Sequence, residues 1–202
     1  GTGRKGTDMR TINTRRLTLR PYDQSDAARV AYLAGDYDVA RMCGRVPHPY
    51  PISAAYSFFD MLERSSESGK EHAFAVTLPI DGVIGACGLS RIGEPGSATW
   101  ELGYWYGMPY WGFGYASEAA GALMDWGRDQ LGAKVFVAGH FSDNPASGNV
   151  LRKLGFVPTG TEDLFGLARQ RTSPATRYVW PEDATPVTLS AHPSHAPTSS
   201  SH

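Results

Sequence analysis

Along the chain, apolar positions recur with two different periods. Residues 14–20 (TRRLTLR) alternate polar and apolar side chains, the period of a half-buried strand. Residues 23–33 open on Asp23 and carry Ala27, Val30 and Ala31 at helical spacing. A second helix is predicted over 52–63, opening at Ser53 with Ala55, Phe58, Phe59 and Leu62 on one face. The turn-rich GRVPHPYP lies between the two. Three strands are then expected, over 72–78, 83–89 and 98–106, and the link PIDG makes the first two antiparallel neighbours. Next come a long helix (115–130), a strand (134–141), a short helix (145–154), a strand from Phe156 and a closing strand over 176–180. Val135, Phe136, Val137 and Ala138 are apolar without alternation, as in a strand covered on both faces. The order predicts an α/β fold built on a mixed sheet flanked by helices.

The ends break this pattern. Residues 1–10 are Gly-rich and basic, expected to be a disordered lead or a cloning remnant. Residues 181–202 (PEDATPVTLSAHPSHAPTSSSH) form a Pro/Ser-rich stretch with little to bury, expected to be a disordered tail. A single domain is thus expected over 11–180. The formal net charge of −1 leaves no electrostatic footprint for nucleic acid or an anionic membrane. Apolar runs are strand-sized, and Cys43 and Cys87 are far apart, so a soluble cytoplasmic chain is expected. His72 and His140 sit in strand-like contexts without an acidic or cysteine cluster, and no metal is expected.

The candidate chemistry starts at PYWGFGYASEAAGALMDWG, residues 109–127. A strand, a loop bearing Gly112 and Gly114, and a helix that opens without an acidic cap form an arrangement suited to an anion. Glycine lets the backbone approach closely. The first N–H groups of a helix lack internal acceptors and point outward, at an end carrying an effective charge of about +0.5. A turn that merely contains two glycines is the plain alternative. The stretch is neither a P-loop nor a dinucleotide GxGxxG.

A second stretch, DNPASGNVLRKLGFVPTG (143–160), leaves the buried strand, turns at Asn144-Pro145 and makes a short helix. ELGYW and YWGFGYASEAAGAL followed by DNPASGNVLRKLGF resemble the GNAT acyl-CoA N-acyltransferase superfamily, in its RimJ/RimL-type branch of ribosomal-protein-alanine N-acetyltransferases. The resemblance spans about 14–180. It implies a mostly antiparallel central sheet splayed between its fourth and fifth strands, acetyl-CoA as co-substrate, and direct transfer of acetyl to an amine acceptor. The acceptor would be a protein or peptide N-terminus, or else a small-molecule amine. Look-alikes commonly form homodimers.

Carried onto this sequence, the family's pyrophosphate pattern (Gln/Arg-x-x-Gly-x-Gly/Ala) falls on Trp111, Gly114 and Ala116, so tryptophan replaces the polar residue. The backbone of Gly112, Phe113, Gly114, Tyr115, Ala116 and Ser117 is left to carry the anion. The pantetheine arm would pair with backbone at Tyr104, Trp105 and Tyr106, like an added strand. Asn144 would hydrogen-bond that arm and Asn149 the cofactor beyond it. An Asx-turn or cap for Asn144 and a solvated face for Asn149 are the plain alternatives.

Glu101 matches the branch's acidic residue beside the acetyl group, a base expected to have a raised pKa among Trp100, Leu102 and aromatics. Many members place an acid tyrosine seven residues after the asparagine; here that position is Leu151, and Ser147 is the candidate acid. Ser147 could equally be an ordinary first-turn residue that caps backbone. Arg41, Arg45, His48 and Tyr50 are candidates for acceptor recognition, flanked by 161–174. The missing tyrosine keeps open an alternative, a non-catalytic acyl-CoA-binding sensor.

Overall fold

The computed structural model describes residues 10–184, and the expected lead and tail lie outside them except for Arg10 and 181–184. Eight strands form one sheet: β1 (Ile12–Asn13), β2 (Thr18–Arg20), β3 (Glu71–Leu78), β4 (Gly82–Ile92), β5 (Thr99–Tyr106), β6 (Val135–Phe141), β7 (Val157–Gly166) and β8 (Arg171–Trp180), in the order β1-β2-β3-β4-β5-β6-β8-β7. Every neighbouring pair is antiparallel except β5 and β6, which are parallel. The helices are α1 (Ala27–Ala34), the single turn α2 (Tyr37–Ala40), α3 (Ile52–Glu67), α4 (Tyr115–Leu131) and α5 (Pro145–Lys153).

Strand alternation sorts the helices onto two faces. Phe74, Cys87, Leu89, Trp100, Leu102, Tyr106 and Phe136 pack with Ala119, Ala120 and Leu123 of α4 and Leu151 of α5. Ala75 and Val83 on the other face pack with Ala27 and Val30 of α1 and Ala55 and Phe59 of α3. Close packing of α4 relies on Gly127, where a Cβ would stand 2.7 Å from Leu89 Cδ1. Gly132, left-handed at φ 65°, ends that helix.

Three expectations are corrected. The single strand over 14–20 is a β1–β2 hairpin, because Thr14 N–H bonds Leu17 O at 2.9 Å and Leu17 N–H bonds Thr14 Oγ1 at 3.0 Å, folding the chain at Arg15-Arg16. The helix expected from Asp23 begins as a 3₁₀ turn over Gln24–Asp26, held by a capping box in which Asp23 and Asp26 each accept from the other's end. The short strand over 176–180 is the end of a ten-residue β8, paired along its length with β7 or β6.

The parallel junction is short. β5 and β6 pair only at Thr99↔Val135, Trp100↔Phe136 and Glu101↔Val137, although both strands run on, to Tyr106 and Phe141. Past Glu101 the sheet opens between β5 and β6, its fifth and sixth strands rather than the expected fourth and fifth, because residues 12–20 supply two strands in place of one. The described residues hold no helix long and apolar enough to cross a membrane.

Candidate active site

The glycine loop leaves the end of β5, passes through a 3₁₀ turn (Met108–Tyr110) and enters α4. Gly112 and Gly114 have φ of 83° and 81°, left-handed values that an L side chain resists. Gly114 is the N-cap and brings no side-chain cap. The first helical bond runs from Glu118 N–H to Gly114 O at 3.1 Å, so the amides of Tyr115, Ala116 and Ser117 are those a helix leaves without internal acceptors. Ser117 Oγ donates to Gly114 O at 3.2 Å, and Phe113 is exposed. Trp111, at the position of the motif's polar residue, turns its indole N–H onto Tyr106 O at 2.8 Å and ties the loop to β5.

The one acid in the first turn, Glu118, is already engaged. It accepts from Thr14 Oγ1 at 2.6 Å, from Arg16 N at 3.0 Å and from Arg16 Nε at 2.7 Å. Burial alone would raise this carboxyl, but those hydrogen bonds outweigh burial and hold it below the usual range. Glu118 therefore does not cap the free amides at the start of α4.

Glu101 is the last β5 residue paired to β6, at the root of the opening. Its expected neighbours Trp100 and Leu102 belong to the α4-side core, since successive strand residues point to opposite faces. What meets Glu101 is polar: Arg45 Nη2 lies 3.3 Å from Oε1. Cross-strand pairing sets Glu71, Ser90 and Glu101 in one row. Burial pushes the Glu71 carboxyl above the usual range, against Arg45 and the Ser90 hydroxyl and with the help of the Glu101 charge. Two carboxyls thus share one arginine. On the same face, Gly103 and Gly139 are exposed, one on each lip of the opening.

The opposite face carries hydroxyls. Tyr104 Oη and Ser147 Oγ lie 2.8 Å apart, spanning from β5 to the first turn of α5. Burial pushes the Tyr104 phenol up to about 12, partly countered by Ser147, so it stays protonated at neutral pH. Leu151, at the position of the family's tyrosine, is buried in the core. Asn144 is the N-cap of α5 but caps no backbone group with its side chain, and Asn149 is exposed.

The four acceptor candidates divide. Arg45 reaches Glu101. Arg41 turns to Asp38 at 3.2 Å, and His48 is exposed with its ring edge-on to Tyr37. Tyr50 packs on the α1–α3 cluster, where burial pushes its phenol up to about 12. Tyr106 and Trp105 fall on opposite faces, Tyr106 in the α4-side core and Trp105 against the α1–α3 cluster. His140 is structural in its contacts, its ring nitrogens meeting Phe141 O at 2.6 Å and Tyr178 Oη at 3.0 Å. No group of three His, Cys, Asp or Glu among the described residues is placed to hold a metal.

One clasp has no signal in the sequence, because its partners lie 26 and 128 positions from Arg169. Arg169, in the β7–β8 turn, makes two 2.7 Å bonds to the Asp143 carboxylate and a third from Nε to Arg41 O, with Cζ 4.0 Å from the Phe141 ring centroid. Leu167 N–H adds a bond to Gly44 O at 3.1 Å. The hairpin thereby joins the Arg41–Gly44 loop to the turn that carries Asn144.

A bare, positively polarised loop, an unpaired strand edge beside it and acid and hydroxyl groups on opposite faces of one gap fit a long anionic thioester threaded through the sheet. The family profile "Acetyltransferase (GNAT) domain" matches residues 16–157. An uncharacterized N-acetyltransferase p20 from Bacillus licheniformis is 31% identical over 153 residues, 75% of this chain and 85% of that protein. The ribosomal-protein-S5-alanine acetyltransferase of Vibrio fischeri superimposes with a TM-score of 0.74 at 19% identity, covering 87% of this chain and 99% of that one. The microcin C7 self-immunity acetyltransferase MccE, solved with acetyl-CoA and AMP, gives 0.72 at 18% identity over 82% of this chain and 92% of its own. This chain belongs to the GNAT acetyltransferase family, as an acetyl-CoA-dependent N-acetyltransferase with RimL and RimJ enzymes among its structural neighbours.

Proposed function

We propose that the chain acetylates the free N-terminus of a protein or peptide, with Glu101 as the base and Ser147, backed by Tyr104, as the acid. The observation that carries this reading is the division of the two groups across the opening: Glu101 on one face, the Ser147–Tyr104 pair on the other. Bound acetyl-CoA supplies an acyl carbon activated by its thiolate leaving group. The amine enters from the Glu101 face, where the bare glycine lips leave room for a small first residue, and Glu101 takes its proton. The amine nitrogen bonds to the acyl carbon as the C–S bond breaks; Ser147 gives a proton to the departing sulfur on the far face, the phenol of Tyr104 restores the serine, and solvent returns a proton to the phenol. The loop from 112 to 117 holds the diphosphate, the free edge at Tyr104–Tyr106 holds the pantetheine arm, and Asn144 hydrogen-bonds it. The named activity of the Vibrio fischeri neighbour supports a protein N-terminus as acceptor. A small-molecule amine in place of the peptide would use the same base and acid.

Thiol release from acetyl-CoA, measured against peptides with free N-termini, polyamines and aminoglycosides, tests the reading. Peptides are expected to turn over, and Glu101→Gln to lower kcat more than tenfold at neutral pH, about 1.4 kcal/mol of lost transition-state stabilisation, with acetyl-CoA affinity retained. Turnover of polyamines alone would overturn the acceptor. An unchanged rate in Glu101→Gln would move the base elsewhere.

A further inference from the structure

We propose that Arg16, outside the glycine loop and about a hundred residues before it, is a cation of the acetyl-CoA diphosphate site and supplies what Trp111 withdraws from the loop's own motif. The inference rests on the reading that the 112–117 loop holds the diphosphate. Three observations carry it.

The first is what Arg16 is held by. It sits in the β1–β2 turn, and its side chain is 40% exposed. Nε is bonded to Glu118 Oε1 at 2.7 Å and Nη1 to Phe113 O at 2.9 Å, so both ends of the loop-to-helix junction grip one guanidinium. Cζ lies 4.5 Å from the centroid of Tyr115, the first residue of α4. A flexible surface arginine is thereby fixed in one place, with its ordering cost met before any ligand arrives.

The second is what is left over. Nη2 has no hydrogen-bond partner among the described residues, and it lies 3.5 Å from where a Cβ on Gly114 would stand. The free donors of the guanidinium therefore lie beside the N-cap of α4, next to the helix amides without internal acceptors. Guanidinium donors match phosphate oxygens in geometry and charge.

The third is the exchange of roles. Trp111 replaces the polar first residue of the family's pattern and spends its one donor on Tyr106 O. Glu118, the acid that would compete for the helix end, is instead the residue that aims Arg16. Glu118 is thus a positioning residue for the site and Arg16 a ligand contact.

Calorimetric binding of three unreactive probes to the full chain separates this role from a merely structural one: CoA, dephospho-CoA (which keeps the diphosphate but lacks the 3′-phosphate) and pantetheine (which lacks all phosphates). Arg16→Gln is expected to weaken CoA and dephospho-CoA alike, by about tenfold or more as for a lost charge-assisted hydrogen bond, and to leave pantetheine unchanged. Arg16→Lys, which keeps the charge without the fork, is expected to recover part of the loss. A variant that binds CoA and dephospho-CoA as tightly as the wild type overturns the proposal. So does one that weakens all three probes equally, since that is the signature of a distorted fold, or one that weakens CoA but spares dephospho-CoA. If the wild type itself binds CoA no better than pantetheine, the loop is not the diphosphate site and the role of Arg16 falls with it.

Discussion

Tyr104 shows how much a single side chain changes when its surroundings are known. The sequence reading gives it only a backbone role, along the proposed pantetheine arm; in the folded chain its hydroxyl reaches Ser147 at 2.8 Å. Because burial pushes that phenol up to about 12, it remains a donor across the neutral range. If the two hydroxyls relay one proton to the leaving thiolate, Ser147→Ala and Tyr104→Phe should each lower kcat, and the double variant should be little slower than Ser147→Ala. Saturating acetyl-CoA kinetics on the four proteins would show this, and additive losses would mean that the hydroxyls act separately. Glu101 illustrates the converse. Its sequence neighbours suggested an apolar site, yet alternation sends Trp100 and Leu102 to the other face and Arg45 and Glu71 define its setting.

At the scale of elements, the junction between β5 and α4 combines two demands on one backbone. The turn is left-handed at Gly112 and Gly114, and on the proposed reading the helix end, which carries no side-chain cap, must stay free of a competing anion. Gly114→Asp violates both: it adds a side chain at φ 81° and a carboxylate at the positive end of α4. CoA binding should be lost, while circular dichroism reports a folded chain, because the exposed loop lies at the edge of the core. Retained affinity would remove the loop from the cofactor site. The helix itself was legible, since Ala119, Ala120, Leu123 and Met124 recur on one face whatever lies opposite. The N-terminal hairpin was not, because the turn at Arg15-Arg16 is held by Thr14 and by Glu118, 104 positions away from Thr14.

Across the whole molecule, distant segments meet over the opening in the sheet. Arg169 clasps the Asp143 carboxylate and Arg41 O, partners separated from it by 26 and 128 positions. Hydrogen bonds from Arg169 hold the Asp143 carboxyl below its ordinary value of 3.8. A depressed carboxyl contributes stability that is present above that ordinary value and is lost as pH falls through the lowered one. Arg169→Ala should therefore lower the melting temperature at neutral pH, with the gap from wild type narrowing only as the pH drops below about 3.8. A gap that persists undiminished at the lowest pH would assign the clasp's contribution to packing on Phe141 instead.

Hydrophobic periodicity by itself determined most of the order of strands and helices and the mixed sheet, and the resemblance carried by the two glycine-bearing motifs indicated the family. These are local properties: a period of two or of 3.6 and a positive φ are written in consecutive residues. The tertiary structure alone decided where β5 and β6 part, which carboxyls share Arg45, and that Tyr104 joins Ser147. It also decided that Arg16 and Glu118 brace the glycine loop. Each of these depends on strand register and on chain segments dozens of positions apart brought within hydrogen-bond reach, and no spacing along the chain encodes that distance.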